Sequence, residues 1–268
     1  MRDAFELTAG QFDLVYNSFS LTIAAMGASL LFFLLVRDRV RPEHRMAVTI
    51  STVVVAIALY HYLRIFSSWS DAFRYEDGTF VQRGRPFNEG YRYVDWLLTV
   101  PLLLAELIIV LKLAKATTRS LIIRLGIAAV AMIALGYPGE IAAPDSATRT
   151  LFGILATIPF LYILYVLFVE LGRSLERQSP EVRKIVHGLR FLLLAVWGVY
   201  PLAYIAPSVI NDPAVAEVVR QVGYSIADIL AKPLFGLFIL SIALIKSADE
   251  SAREPDGSQR TSEERAQA

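Results

Sequence analysis

Seven stretches of the chain stay apolar over about 20 residues, the length of helix that crosses roughly 30 Å of hydrocarbon. They lie near 13–36, 46–69, 90–112, 119–137, 146–171, 183–206 and 215–246. Gly136-Tyr137-Pro138-Gly139 breaks the helical pattern and should end the fourth stretch there. Connections are short except 70–89, where Asp77-Gly78 between two short extended runs predicts a hairpin. The first dozen residues are polar and mixed in charge, and the last 20, from Asp249, are charged enough to predict a disordered tail. The pattern predicts an all-α membrane protein. Its seven-helix transmembrane bundle fills 1–248, with a short hairpin between helices 2 and 3 and a tail over 249–268.

Composition agrees. The 268 residues are 55% hydrophobic, and the mean hydropathy of +0.50 is too high for a soluble domain of this length. A net charge of +1 implies no attraction to nucleic acid, and the absence of cysteine excludes disulfides and thiolate metal sites. No metal site is expected. Basic residues gather in the loops at 37–45, 112–119 and 172–184 and are scarce at 138–145 and 207–214. The positive-inside bias therefore predicts an outside N-terminus and a cytoplasmic C-terminus in a multi-pass protein of a bacterial-type inner (plasma) membrane.

Charges within the spans change the picture, because each costs several kcal/mol at mid-membrane unless paired or functional. In the third span Arg92, Asp95, Thr99 and Glu106 follow steps of three, four and seven and share one helix face. Asp95 and Glu106 are then roughly 16 Å apart along the axis, a ladder across the membrane and not a paired acid–base site. In the last span Asp228 and Lys232 are four apart. A buried amine suits imine formation with an aldehyde, and Asp95 and Asp228 could balance the resulting cation. A structural Lys232–Asp228 ion pair is the plainer alternative. Trp96, Phe160, Trp197, Tyr200 and Tyr204 recur beside these positions, either as core packing or as the wall of a ligand site.

RYVDWLLTVPLLLAE, LYILYVLF, WGVYPLAY and DILAKPLFGLF together resemble the microbial (type 1) rhodopsins, over 13 to 246. The resemblance implies that Lys232 binds all-trans retinal as a protonated Schiff base, making 1–248 a retinal-binding domain. It further implies that Asp95 is primary counterion and proton acceptor, Asp228 is second counterion hydrogen-bonded by Tyr62 and Tyr200, and Arg92 gates the exit side. Trp96 and Trp197 would sandwich the polyene, with Met132, Gly136, Phe160 and Tyr204 around it. The Asp95-Thr99-Glu106 triad is similar to outward proton pumps of the proteorhodopsin and xanthorhodopsin type, and makes Glu106 the donor that reloads the Schiff base. An apolar setting among Leu103, Leu107 and Ile108 favours the protonated acid this requires. A glutamate snorkelling to the interface is the alternative.

By the same resemblance His61 pairs with Asp95, and Leu103 occupies the position associated with green absorption. Gly153 falls where many rhodopsins carry a Trp beside the retinal ring. It either packs helices or opens a window that, in the xanthorhodopsin branch, admits a carotenoid antenna. Arg220 takes one place of the glutamate pair through which haloarchaeal pumps release protons, so release by that pair is not expected. The implied partners are membrane lipid, protons and further copies in a homo-oligomer, a pentamer or trimer. A light-driven outward proton pump, a transporter and not an enzyme, is the reading. Its rivals are a sensory rhodopsin signalling to a membrane transducer and a seven-helix receptor for a diffusible ligand.

Overall fold

A computed structural model describes residues 5–253. Seven helices are long and apolar enough to cross a membrane: α1 (Ala9–Val36), α2 (Arg45–Ala72), α3 (Gly90–Val110), α4 (Lys115–Glu140), α5 (Ala147–Leu175), α6 (Pro180–Val209) and α7 (Pro213–Ala252). They form one bundle. Leucines and isoleucines such as Leu21, Leu35, Ile127, Ile158 and Leu202 point outward, while Arg92, Asp95 and Glu106 of α3 and Arg220, Asp228 and Lys232 of α7 point in. That inverts a soluble protein's pattern, as lipid rewards apolar exterior and penalises exposed charge.

Polar residues set where several helices begin. Thr8 caps α1 reciprocally with Gln11. Ser146 caps α5, Ser179 caps α6 ahead of Pro180, and Asp212 caps α7 ahead of Pro213. The anticipated hairpin is present as β2 (Phe73–Glu76) and β3 (Thr79–Gln82). Asp77 and Gly78 both take positive φ, at 45° and 96°, as a tight two-residue turn of this hand requires. The polar lead into α1 supplies an unanticipated third strand, β1 (Glu6–Thr8), which pairs antiparallel with β3. Phe12 stacks on Phe80 at 3.8 Å and lies 5.8 Å from Trp69, so aromatic packing fastens this sheet to α1 and α2.

Two expectations are corrected. First, α4 does not stop at Gly136-Tyr137-Pro138-Gly139 but runs on to Glu140. Pro138 has no N–H to give the Ala134 carbonyl, and the last carbonyls, as at any helix end, want partners from outside the helix. Arg149 of α5 supplies them, its Nη1 donating to the carbonyls of Gly139 (3.1 Å) and Glu140 (3.2 Å). Second, the tail does not begin at Asp249, because the last helix continues to Arg253. Ser247 donates to the Ala243 carbonyl, and Glu250 is held by contacts described below. The rest of the anticipated tail, 254–268, lies outside the described residues.

The last helix changes pitch where the chemistry is. Leu230–Leu234 forms a π turn around Lys232. Pro233 has no N–H to give the regular ladder, and the wider turn absorbs that loss; π turns of this kind often mark functional positions. A second π turn occupies Val166–Glu170 in α5.

Candidate functional site

Lys232 lies at the centre of the bundle with its side chain buried. Its Nζ donates to Asp95 Oδ2 at 2.6 Å and lies 2.9 Å from Asp228 Oδ1. The pairing along one helix, Lys232 with Asp228, and the pairing across helices, Lys232 with Asp95, are thus both made.

The two carboxylates differ in their surroundings. Asp228 accepts from Tyr62 Oη (2.7 Å), Tyr200 Oη (2.7 Å) and Trp96 Nε1 (3.1 Å), and Arg92 Nη1 is 3.6 Å away. Asp95 has Lys232 alone: its Oδ1 is buried without a hydrogen-bond partner among the described residues. Thr99, which shares its helix face, donates to the Asp95 backbone carbonyl and not to the carboxylate. Three neutral donors and a nearby guanidinium stabilise charge on Asp228, whereas Asp95 keeps an open acceptor beside Lys232.

His61 does not pair with Asp95 as anticipated. It is buried on α2, but its Nδ1 has no hydrogen-bond partner among the described residues, and its ring meets Tyr60 edge-on. The open Asp95 Oδ1 is therefore not filled from α2.

A cavity of about 520 Å³ extends from Lys232 toward α5 and α6. Trp96, Leu103, Met132, Gly136, Gly153, Phe160, Trp197, Tyr200 and Tyr204 all line it. Sequence reading missed Tyr93 and Tyr224, which complete its wall at the Asp228 end. The lining is overwhelmingly aromatic and aliphatic, with one amine at its inner end, which fits a long apolar aldehyde joined to Lys232. At the far end the cavity reaches Ile154 and Ile205, both lipid-facing, through the gap at Gly153. Gly153 is close-packed on one side: a Cβ there would meet Tyr204 Cε1 at 3.1 Å.

Glu106 stands apart on the basic side of Lys232. Its Oε2 accepts from Ser51 Oγ at 2.6 Å, its Oε1 is buried without a partner, and Leu103, Leu107 and Ile108 around it on α3 are buried. Toward the hairpin end, Arg92 Nη1 donates to Tyr62 Oη (2.9 Å) and Nη2 to Gln221 Oε1 (2.8 Å). Gln221 Nε2 in turn donates to Glu89 and Glu217. Arg220 joins the same group, ion-paired with Glu89, Glu140 and Glu217. Beyond Arg92 and Tyr62, only Arg220 of this cluster drew attention in the sequence. The available signal was the spacing of Glu217, Arg220, Gln221, Tyr224 and Asp228, steps of three and four that place them on one wall of α7.

A seven-helix membrane bundle with a buried lysine between two unlike carboxylates, at the end of an aromatic cavity, is the class of protein that fold and site define. A family model described as "Bacteriorhodopsin-like protein" matches residues 14–246, and the chain belongs to that family. It is 31% identical over 233 residues to the green-light absorbing proteorhodopsin of a gamma-proteobacterium, covering 87% of each chain. It is 32% identical over 250 residues to bacteriorhodopsin of Halobacterium salinarum, covering 91% of this chain and 90% of that one. Among solved structures it is similar to thermophilic rhodopsin, with 50% identity, a TM-score of 0.87 and coverage of 91% and 98%. Xanthorhodopsin, described as a light-driven ion pump with dual chromophore, is 49% identical with a TM-score of 0.87 and coverage of 93% and 99%.

Proposed function

We propose that this protein is a light-driven outward proton pump whose chromophore is all-trans retinal joined to Lys232. The observation that carries the reading is the unequal pair of carboxylates at Lys232 Nζ, with a third carboxyl, Glu106, isolated on the opposite side. The likeness to proteorhodopsin and xanthorhodopsin supports it. Bound retinal supplies absorption of light and an isomerisation that changes the proton affinity and orientation of the linked nitrogen.

The chain's own residues do the rest. Asp228, held by Tyr62, Tyr200 and Trp96, remains a fixed negative charge beside Lys232 Nζ. Asp95, with Oδ1 open, takes the proton from that nitrogen. Glu106 returns one from the other side, and the apolar lining between them keeps water from short-circuiting the two steps. Arg92 and Gln221 lead from Asp228 to the glutamates near the hairpin end, which in this reading is extracellular. The basic loops face the cytoplasm, and the protein lies in a bacterial-type plasma membrane as a homo-oligomer. The gap at Gly153, opening on lipid-facing Ile154 and Ile205, is the seat for the ring of a carotenoid antenna.

Cells expressing the protein with added retinal, in unbuffered suspension under green light, are expected to acidify the medium, and a protonophore should abolish the effect. Glu106→Gln should slow return of the proton to Lys232 by about 100-fold or more. Colour without acidification would replace the pump with a photosensor.

A further inference from the structure

At the basic end of the bundle a histidine is built into the structure with no part in the steps above. His44 closes the turn before α2, and its side chain is fully buried. Its Nε2 lies 3.1 Å from Glu250 Oε1 on α7, and the Glu250 side chain is 37% exposed. Lys112, beyond the end of α3, approaches that same oxygen at 3.2 Å, and Arg41 Nε is 3.8 Å from the other. Lys246 on α7 faces the imidazole as well. The ring's charge thus answers to Glu250, Lys112, Lys246 and Arg41 together. Both ring nitrogens, Nδ1 and Nε2, are buried without a hydrogen-bond partner among the described residues, so the 3.1 Å approach of Glu250 to Nε2 is an ion-pair contact and not an aligned hydrogen bond.

Steps of four and three along α2 lead from His44 to Val48 and Ser51, one face of the helix. Ser51 is the residue that donates to Glu106, whose Oε1 is another buried and unpartnered atom. His44 and Ser51 are seven residues apart, about 10 Å of helix. Buried Val48, Leu107 and Leu111 belong to the apolar core at this end of the bundle. About 10 Å of apolar core is short enough for a few waters to bridge when the helices loosen.

We propose that His44 is the proton-entry residue for Glu106. Glu250 draws a proton from bulk water and passes it to His44 Nε2. The imidazole is cationic during the transfer, and the proton leaving Nδ1 crosses the Val48 layer to the Glu106 carboxylate. This rests on the pump reading, since it supplies the proton that Glu106 spends.

Time-resolved infrared spectroscopy of the full-length, retinal-loaded protein follows the Glu106 carboxyl band directly. In the wild type its recovery is expected to keep pace with the photocycle at neutral pH. In His44→Gln, recovery drawn from bulk should slow about tenfold or more, and added imidazole should restore it. Glu250→Gln, which leaves the imidazole in place, should slow it in the same way. Transfer from Lys232 to Asp95 should be unchanged in both variants, which separates a relay from a mere clamp between α2 and α7. Recovery in both variants at the wild-type rate overturns the relay alone. A wild type that cycles without acidifying its medium overturns the pump reading, and the relay with it.

Discussion

Asp95 and Asp228 stand 2.6 Å and 2.9 Å from Lys232 Nζ, and both are buried. Chemistry does not separate them; their neighbours do. Asp228 is tied to two tyrosines and a tryptophan, so an amide there would leave three donors badly served. Asp95 has no such attachments, so Asp95→Asn should leave the folded protein coloured while light-driven acidification falls by about 100-fold or more. The absorption spectrum and a pH electrode on the same sample check both halves, and residual pumping near the wild-type level would mean another acceptor. Lys232 and Asp228 were legible in the sequence because i,i+4 spacing announces itself on a helix. The roles of Ser51 and Gln221 were not. Serine and glutamine in a membrane helix are common, and only the approach of another helix gives them a partner.

At the scale of elements, the spans were legible because hydrocarbon demands about 20 apolar residues and leaves little freedom. What escaped were ends settled by tertiary contact: α4 extended past Pro138 by Arg149, and β1 recruited by the edge of β3. The gap between α5 and α6 was legible only as a missing side chain at Gly153. In the structure Tyr204 stands behind it and donates to the Arg149 carbonyl at 2.7 Å. Gly153→Trp fills the opening from the α5 side and presses on Tyr204. Wild-type protein given a carotenoid should show the carotenoid's bands in the action spectrum for pumping. In Gly153→Trp those bands should vanish while the retinal band stays. Carotenoid bands persisting in that variant would place an antenna elsewhere or refute the seat.

Across the whole molecule, the two ends of the bundle are closed by different means. The basic end is clasped by Glu250, whose partners come from the turn before α2 and from the end of α3. The hairpin end is closed from inside, by Arg220 among Glu89, Glu140 and Glu217. These residues come from the lead into α3, the end of α4 and the first turns of α7, so one guanidinium joins three parts of the fold. Because Arg220 is fully buried, neutralising it strands carboxylates in an apolar setting instead of returning them to water. Arg220→Gln should therefore destabilise the protein by about 3–5 kcal/mol at neutral pH, read as a lower midpoint for loss of the visible band on heating. An unchanged midpoint would mean that the guanidinium contributes nothing to holding these three parts of the fold together, since Gln221 and Arg149 would then suffice as partners for the carboxylates.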